Sequence, residues 1–348
     1  MTRYLITGAA GSLGRAIVAQ LAGLPMERLV AFVRSEIDAA ELSAQYRAVM
    51  PFKAFIGDIR DEQRLVDAMY GVDLVIHAAA LKRVDEGAYN PGEMIATNIV
   101  GTQNVVRAAT RAGVGRVIVV SSDKAVHPAN VYGATKAVAE FWSVHQNAIS
   151  HPRGTAVSVV RYGNVIGSRG SVFHAWRDQI ARGEPLRITK PTMTRFLITL
   201  GEAVDFIMRC AIEMEGGEIF VPILNSAFLT DIAAAFAPPS YPFDVADALR
   251  PGGEKMHEAL LSDEEHGRAL YREMDPDIAG GNPVIVVPPH APSWRSDPYA
   301  GIPIVGSGPW VNLGAFWRYH SDDPSFLTMK AADVQKKLTE AGWSQATV

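Results

Sequence analysis

The sequence predicts an α/β fold in which a doubly wound parallel sheet carries a smaller, interleaved C-terminal lobe. The first half of the 348-residue chain alternates short apolar strands with amphipathic helices, which is typical of repeated β-α units. Those strands are rich in Val, Ile and Leu, as expected when helices cover both faces of a sheet. After about residue 165 the alternation loosens, which indicates a second lobe.

The predicted elements of the first half define a first domain over residues 1–165. Its strands are Tyr4–Thr7, Leu29–Val33, Lys53–Ile56, Leu74–His77, Arg116–Ser121 and Ala156–Arg161. Its helices are Ser12–Ala22, Asp61–Met69, Pro91–Ala112 and Val131–Gln146. We expect further elements of the same sheet to return from about residues 195–222.

Residues 166–282 are predicted to form mainly the second lobe, which would bind substrate. Its expected elements are the helix Val172–Arg182, the strand Leu186–Ile188, the helix Thr199–Glu213 and the strand Glu218–Val221. Seven prolines between residues 283 and 309 disfavour a helix or a central strand there. We therefore interpret residues 283–348 as a proline-rich extended arm followed by a short helix, Lys330–Ala341.

The composition excludes several classes of protein. The net charge of −4 disfavours a nucleic-acid or anionic-membrane partner. The single cysteine, Cys210, excludes an internal disulfide and a cysteine zinc cluster, and we predict that it is buried and that no metal is bound. No apolar run reaches the roughly 18 residues of a membrane span and no signal peptide precedes the first strand, so we expect a cytoplasmic protein.

A glycine-rich loop follows the first strand and opens the first helix. It reads Thr7-Gly8-Ala9-Ala10-Gly11-Ser12-Leu13-Gly14, with the spacing G-x-x-G-x-x-G. Glycines at these positions permit a tight turn and a close backbone approach to a pyrophosphate, which the helix N-terminus then faces. The loop predicts a Rossmann-type dinucleotide site lined by Thr7, Gly8, Gly11, Ser12, Leu13 and Gly14.

The end of the second strand bears on which dinucleotide binds. It carries Arg34 and Ser35, with no carboxylate at the tip to hold a ribose 2′-hydroxyl, and a guanidinium suits a 2′-phosphate. We therefore expect NADP rather than NAD, although Glu36 lies nearby. The alternative is that Arg34 is a solvated surface residue.

The ends of the third and fourth strands supply further candidate cofactor residues, namely Asp58, Ile59, Ala78, Ala79 and Ala80. Asp58 is placed to meet an adenine amino group, and the alternative is that it caps the helix Asp61–Met69. The small alanines let the backbone pass under a flat ligand. We interpret His77, which precedes them, as a packing residue.

The segment 121–136 follows an apolar strand and reads Ser-Ser-Asp-Lys-Ala-Val-His-Pro-Ala-Asn-Val-Tyr-Gly-Ala-Thr-Lys. Tyr132 and Lys136 are four residues apart and share a helix face, so the ammonium can lie near the phenol and lower its pKa. Asp123 and Lys124 stand just after the strand, at the sheet edge where α/β proteins bind substrates. This combination indicates redox chemistry coupled to acid/base chemistry. A solvated turn is the alternative for Asp123 and Lys124.

The chain resembles the extended short-chain dehydrogenases/reductases, and among them the inverting UDP-N-acetylglucosamine 4,6-dehydratases of bacterial polysaccharide and flagellin-sugar biosynthesis. The resemblance covers most of residues 3–265, and its strings are Ala78–Val84, Thr97–Thr102, Ser122–Ala125, Asn130–Lys136, Arg161–Ser171 and Met193–Phe196. Ser122 stands where the family has threonine. An extra glycine enlarges the family's Arg-Pro-Gly-Glu-Lys to Arg250-Pro251-Gly252-Gly253-Glu254-Lys255, which bears on where Arg250 and Glu254 lie.

The resemblance implies that water is removed across C5 and C6 of the sugar, with inversion at C5, after transient oxidation of C4 by bound NADP. The oxidation is needed because the C5 proton becomes acidic only beside a carbonyl. Tyr132 would take the O4 proton with Lys136 beside it, Lys124 would take the C5 proton, and Asp123 would protonate the departing C6 hydroxyl. We expect Asp123 and Lys124 to titrate as a unit, because the working state is their ion pair with one proton moved back.

The resemblance also implies binding roles for residues outside these motifs. The further cofactor residues would be Lys82 and Asn98, together with Tyr132 and Lys136. The substrate residues would be Lys82, Ser122, Asn164, Arg169, Arg195, Arg250 and Glu254, in which guanidinium and amide donors suit a UDP pyrophosphate. The alternative for Arg195 and Arg250 is that they form surface ion pairs.

Three other functions share part of this pattern. A sugar 4-epimerase would use Tyr132 and Lys136 but would not need Asp123 and Lys124. A dehydratase that epimerises C5 further is similar, but its related members carry methionine at the tyrosine position. A non-catalytic NADP-binding redox sensor would tend to lose the tyrosine or the lysine.

Assembly is predicted from the helices Pro91–Ala112 and Val131–Gln146. They carry more apolar surface than one sheet face can cover, and related enzymes pair them across a two-fold axis in a four-helix bundle. We expect a homo-oligomer, a dimer or larger, up to a hexamer.

Overall fold

The computed structural model describes residues 1–149, 154–245, 253–272, 283–289, 311–312 and 319–343. The strands in chain order are β1 Arg3–Thr7, β2 Arg28–Val33, β3 Phe52–Ile56, β4 Leu74–His77, β5 Arg116–Val120, β6 Ala156–Val160, β7 Asn164–Val165, β8 Leu186–Ile188, β9 Thr194–Ile198, β10 Ile219–Pro222, β11 Ser226–Phe228, β12 Phe243–Val245, β13 Leu270–Arg272, β14 Val284–Val287 and β15 Val311–Asn312. The helices are α1 Ser12–Leu21, α2 Glu36–Tyr46, α3 Glu62–Met69, α4 Val84–Tyr89, α5 Pro91–Met94, α6 Gly101–Ala112, α7 Val131–Ile149, α8 Val172–Ala181, α9 Leu200–Glu213, α10 Leu229–Phe236, α11 Asp263–His266 and α12 Ala331–Glu340. A π-helical turn, Ile95–Val100, joins α5 to α6, and a 3-10 turn spans Asp123–Ala125.

The main sheet has ten strands in the order β15-β13-β14-β10-β6-β5-β4-β1-β2-β3. The seven strands from β10 to β3 are parallel, and the three beyond β10 run antiparallel to their neighbours. The chain leaves β1 in one direction towards β2 and later continues in the other from β4 to β5. Right-handed crossovers therefore place α1 and α6 on opposite faces. The predicted doubly wound, Rossmann-type fold is confirmed, and its ligand crevice lies at the carboxyl ends of β1 and β4.

Strand β14 corrects one expectation. We expected no central strand among residues 283–309, yet Val284–Val287 lies between β13 and β10 with all four residues buried. The physical reason is that four β-branched residues stand between Pro283 and Pro288, so the prolines fall outside the ladder and remove none of its hydrogen bonds. Residues 290–309 lie outside the described part of the chain.

Helix α2 has no counterpart among the sequence predictions. Ser35 caps it, since its side chain accepts a hydrogen bond from the backbone N–H of Asp38. Only Ala39, Leu42 and Tyr46 are buried along its length, so the apolar pattern in the sequence is weak.

The second lobe has its own hydrophobic core, in which Phe173 and Trp176 of α8 pack with Phe236 of α10. Two small sheets, β11-β9-β7 and β12-β8, flank it. Val334 and Leu338 of α12 are buried in the same core. The C-terminal helix therefore belongs to the second lobe, and not to a separate unit formed with the proline-rich segment.

Two smaller findings concern composition. Cys210 is buried on α9, as predicted. No helix in the described ranges is long and apolar enough to cross a membrane.

Candidate active site

The glycine-rich loop is shaped for close approach at the carboxyl end of β1. Gly8 has a φ of +67°, and a Cβ there would lie 2.8 Å from the Cα of Ala79. A Cβ on Gly14 would lie 2.3 Å from the carbonyl oxygen of Gly8. Gly11 precedes α1 without a side-chain cap, so the first N–H groups of the helix face outward. This is the geometry that a pyrophosphate requires.

A buried chain of hydrogen bonds supports this loop from behind. Thr7 Oγ1 lies 2.7 Å from Nδ1 of His77, and Nε2 of His77 lies 3.0 Å from Oγ1 of Thr102. Burial, followed by the charge of Lys136, lowers the pKa of His77 to about 3. Both ring nitrogens are hydrogen-bonded and the ring is neutral, so His77 is a packing residue, as predicted.

The tips of β2 and β3 place the residues expected at the adenosine end. The Arg34 side chain is exposed, with no hydrogen bond or ion pair to the described part of the chain. Asp58 pairs with Arg60 at 2.7 Å, and this hydrogen bond lowers the pKa of the carboxyl. The helix cap is Asp61, which accepts from the backbone N–H of Arg64. The capping alternative for Asp58 is therefore wrong.

Some of the remaining candidate cofactor residues are exposed, and others are buried. Ala80 and Lys82 are exposed beyond β4, whereas Ile59 is buried. Asn98 is also buried: Oδ1 accepts from the N–H of Leu81, and Nδ2 donates to the carbonyl of Leu81 and to Oγ1 of Thr135. These bonds hold the loop backbone at Leu81, and the cofactor contact of Asn98 stays a prediction.

Tyr132 and Lys136 lie on one face of α7, as their spacing predicts. The pKa of the Tyr132 phenol, however, does not shift in the expected direction. Nζ of Lys136 donates to the carbonyl oxygen of Val120 at 2.6 Å. Burial lowers the pKa of Lys136 to about 8. Burial raises the pKa of Tyr132, and the opposing influences are the charge of Lys124 and a hydrogen bond with Ser122. The predicted net lowering of the phenol pKa by Lys136 is therefore wrong for this structure.

Asp123 and Lys124 form the 3-10 turn that follows β5. Oδ1 of Asp123 accepts hydrogen bonds from Oγ of Ser122 at 2.7 Å and from Nζ of Lys124 at 2.9 Å. Oδ2 is buried and has no partner among the described residues. Burial opposes the charge on Lys124, but the carboxylates of Asp123 and Glu258 outweigh it and raise the pKa of the amine. The pair rests as carboxylate and ammonium, and the solvated-turn alternative is wrong because Asp123 is fully buried.

Lys255 and Glu258 are functional candidates that the sequence analysis missed. Oε1 of Glu258 lies 3.4 Å from Nζ of Lys124, and Oε2 lies 2.8 Å from Nζ of Lys255. Lys255 also donates to the carbonyl oxygens of Asp123 and Val126. Lys255 ends the recognised string at residues 250–255, and Glu258 lies three residues beyond it. Their proximity to Asp123 depends on a long-range fold contact, which local spacing does not reveal.

A cavity of about 390 Å³ opens beside Lys124. The predicted substrate residues that line it are Lys82, Asn164, Arg169, Arg195 and Glu254. Ser122 precedes Asp123 and donates a hydrogen bond to its Oδ1. Arg250 lies outside the described residues. Arg83, Arg187 and Lys255 add cationic groups that the sequence analysis did not select.

Besides Glu258, whose Oε2 forms an ion pair with Lys255, two cavity residues have a buried polar atom without a hydrogen-bond partner in the described ranges. They are Asn164, through Oδ1, and Ser171, through Oγ. Buried polar atoms in native proteins are almost always paired, so these two are suited to a bound ligand.

Arg195 and Glu254 form an ion pair inside this cavity. Their nearest atoms are 3.0 Å apart, and Arg195 is buried, so the surface ion-pair alternative is wrong in its location. In the same loop, Gly253 has a φ of +87°, and its carbonyl accepts a hydrogen bond from Nδ2 of Asn130 at 2.9 Å. This left-handed residue ties the backbone next to Glu254 to the loop before α7.

One contact joins the cavity to the glycine-rich loop. The backbone N–H of Arg169 donates to Oγ of Ser12 at 3.0 Å. The two halves of the site are thus continuous.

A buried ionic cluster supports α7 on its far side. Arg161 pairs with Glu140 at 2.6 Å and with Glu265 at 2.8 Å.

In the described ranges, no group of three or more His, Cys, Asp or Glu residues could hold a metal ion.

Comparisons with known proteins fit this geometry. The family described as polysaccharide biosynthesis protein matches residues 4–274. Over 263 residues the chain is 42% identical to a UDP-N-acetylglucosamine 4,6-dehydratase (inverting) of Campylobacter jejuni, covering 75% of this chain and 78% of that protein. Over 273 residues it is 36% identical to a UDP-glucose 4-epimerase of Rickettsia massiliae, covering 76% and 79%.

The fold also has a close structural counterpart. The X-ray structure of Pen from Bacillus thuringiensis has a TM-score of 0.84 to this chain, with 29% sequence identity over 98% of both chains. This coverage extends past residue 274, the last residue that the family matches.

Proposed function

Because the chain belongs to the polysaccharide biosynthesis protein family, as an enzyme of the nucleotide-sugar dehydratase and epimerase kind, we propose that it is a UDP-N-acetylglucosamine 4,6-dehydratase that inverts C5. The observation that carries the proposal is the ion pair between buried Asp123 and half-buried Lys124, whose charges act on Tyr132, at a cavity lined by more cationic than anionic side chains. An acid and a base at this position are what removal of water requires. The product would be a UDP-2-acetamido-2,6-dideoxy-hexos-4-ulose.

A nicotinamide dinucleotide fits the glycine-rich loop, because Gly8 and Gly14 leave no room for a Cβ and α1 starts without a side-chain cap. The chemistry that this group supplies when bound is the reversible acceptance of a hydride from the sugar. Arg34 is exposed and makes no ion pair within the described part of the chain, which supports NADP over NAD, since a guanidinium can pair with a 2′-phosphate.

Tyr132 is the base proposed for O4. In the resting structure it is a phenol, because burial raises its pKa. The ammonium of Lys124 and the hydrogen bond with Ser122 both favour the phenolate, so they reduce the cost of moving the O4 proton. Lys136, anchored on Val120, fixes the helix that presents the phenol.

Asp123 and Lys124 are the acid and base proposed for the elimination. Their resting ion pair becomes a carboxylic acid and an amine when one proton passes from Nζ to the carboxylate. Nζ can then take the C5 proton, and Asp123 can protonate the departing C6 hydroxyl. Oδ2 of Asp123 supports this role, because it is a buried acceptor without a donor among the residues that the structure describes.

The cationic lining supports a nucleotide diphosphate as the anchor of the substrate. Lys82 and Arg169 both line the cavity, and partial burial followed by the charge of Arg169 lowers the pKa of Lys82. A doubly charged pyrophosphate would relieve this repulsion. Asn164 and Ser171 would supply neutral hydrogen bonds.

Incubation of the pure protein with UDP-N-acetylglucosamine, followed by NMR of the sugar, tests the proposal. We expect a 4-keto-6-deoxy product, deuterium at C5 in deuterated water, and no net change in nicotinamide redox state. Stoichiometric accumulation of reduced cofactor would contradict the proposal. A product that keeps its C6 hydroxyl would instead identify a 4-epimerase, the function named for the Rickettsia relative.

Location and assembly complete the proposal. We place the enzyme in the cytoplasm, where nucleotide sugars are expected to be made, without a nucleic-acid or membrane partner. Exposed apolar side chains on the helix pair formed by α5–α6 and α7 support a homo-oligomer of at least two subunits, and they are Ile95, Val100, Val138 and Phe141.

A further inference from the structure

We propose that Glu258 is a positioning residue for the elimination step, because it holds Lys124 and stabilises the ammonium that Lys124 becomes on taking the C5 proton. This inference rests on the proposed function. It concerns a residue outside the motifs that carry the family resemblance.

The geometry around Glu258 is specific. It is buried, and its two carboxylate oxygens lie 3.4 Å from Nζ of Lys124 and 2.8 Å from Nζ of Lys255. Its backbone is fixed on both sides by Ser321: the N–H of Glu258 donates to Oγ of Ser321, and the N–H of Ser321 donates to the carbonyl of Glu258, both at 2.8 Å. The carboxylate is thus held in place before any substrate arrives.

Glu258 keeps its negative charge at neutral pH. Burial opposes ionisation, but the cations of Lys124, Lys255 and Arg195 outweigh it and lower the pKa of Glu258 to about 2. Glu258 therefore stays a carboxylate, and Lys255 balances its charge.

This constant charge matters because Asp123 changes its own. The carboxylates within 4 Å of Nζ of Lys124, in the described ranges, are those of Asp123 and Glu258. When Asp123 holds the proton that it will donate, it no longer carries a negative charge. Glu258 then remains the anion beside the amine.

The elimination itself balances without an added reactant. The electrons of the C5–H bond form the C5–C6 double bond as the C6–O bond breaks. The proton passes to Nζ of Lys124, and the hydroxyl leaves as water with the proton of Asp123. Positive charge develops on Lys124 during this step, and Glu258 is placed 3.4 Å away to stabilise it.

Glu258→Gln in the full-length, cofactor-loaded enzyme tests the proposal, because it keeps the shape of the side chain and removes its charge. Two rates are measured with UDP-N-acetylglucosamine in deuterated water: appearance of reduced nicotinamide in a single turnover, and deuterium incorporation at C5. We expect C5 incorporation to fall about 10²-fold, while C4 oxidation changes little. Glu258→Asp, which keeps the charge one methylene further away, should recover part of the lost rate.

Glu265→Gln is the matched control, because it removes a buried carboxylate that pairs with Arg161 and does not contact Lys124. Its two rates should change in the same proportion. An equal loss of both rates in Glu258→Gln, or normal C5 incorporation, would overturn the inference. If that variant does not fold, Glu258→Asp decides, since a smaller selective loss at C5 supports the role and a proportionate loss contradicts it. Absence of dehydrated product from the wild type would instead refute the proposed function.

Discussion

Nζ of Lys136 donates a hydrogen bond to the carbonyl oxygen of Val120, the last residue of β5, at 2.6 Å. The bond ties the helix that carries Tyr132 to the strand that leads into Asp123. The lysine is buried, and Glu140, one turn further along α7, is the carboxylate that favours its charged form. Lys136 is therefore an anchor between the redox and elimination residues, and its own ionisation is perturbed.

That perturbation predicts a pH dependence of stability. The pKa of Lys136 is about 8 in the folded protein and 10.5 in its ordinary state. Between these values the unfolded chain binds more protons, so this residue's contribution to stability rises with pH, by at most about 1.4 kcal/mol per pH unit. Below about pH 8 the cost of burying the ammonium is present in full. Lys136→Met removes the titration.

Urea denaturation of wild type and Lys136→Met at pH 7, 9 and 10 gives the measurement, with the cofactor absent from both. The difference in unfolding free energy should move in favour of the wild type as pH rises. A difference that stays constant over this range would show that Lys136 keeps its ordinary pKa.

Lys124→Ala and Tyr132→Phe should separate the two stages of the reaction. Lys124→Ala should retain transient oxidation at C4 and lose C5 proton exchange, because the base is gone. Tyr132→Phe should slow the first oxidation instead. Loss of a general base typically costs about 10²–10⁴-fold. Rapid-mixing absorbance and deuterium incorporation at C5 report the stages, and C5 exchange at the normal rate in Lys124→Ala would remove Lys124 from the mechanism.

Arg34→Ala should erase most of a preference for NADP. A charged hydrogen bond contributes on the order of 1.5–3 kcal/mol, so we expect NADP to bind at least about tenfold tighter than NAD in the wild type. Calorimetric titration of both dinucleotides gives the ratio. Arg47→Ala, at the other end of α2, is the control for a lost surface charge. An unchanged ratio in Arg34→Ala would refute the role of this residue.

Phe141→Asp should weaken self-association. Phe141 is 60% exposed on α7, and neighbouring apolar side chains extend the patch to Val138 and Ile95. A buried charge in such a contact is costly, so the variant should shift towards the 37.6 kDa of one chain in sedimentation equilibrium at micromolar concentration. Tyr70→Asp is the control, as an exposed aromatic away from these helices. A wild type that sediments as a single chain would contradict the prediction.

Local patterns predicted the parts of this protein that depend on neighbouring residues. Two such patterns are short and local: the glycines at positions 8, 11 and 14, and the four-residue spacing of Tyr132 and Lys136. The alternation of apolar runs was sufficient for the parallel sheet. The β14 strand was missed because its prolines dominate the composition around four valine and isoleucine residues.

Features that depend on long-range contacts could not be read in this way. Glu258 meets Lys124 across 134 positions of sequence, and nothing near either residue signals the other. The direction of the Tyr132 pKa shift also depends on burial, which the four-residue spacing does not contain. Asn98 was selected as a cofactor contact, and its hydrogen bonds to the backbone of Leu81 became visible only in the fold.

The hydrogen bonds between Glu258 and Ser321 have a consequence for how the enzyme is made. Every residue proposed to donate or accept a proton is encoded before residue 137, so these groups are synthesised well before Ser321. The carboxylate beside Lys124 gains its backbone support only when Ser321 has left the ribosome. A nascent chain can therefore fold its dinucleotide loop early, yet the elimination centre is completed only after residue 321 has been synthesised.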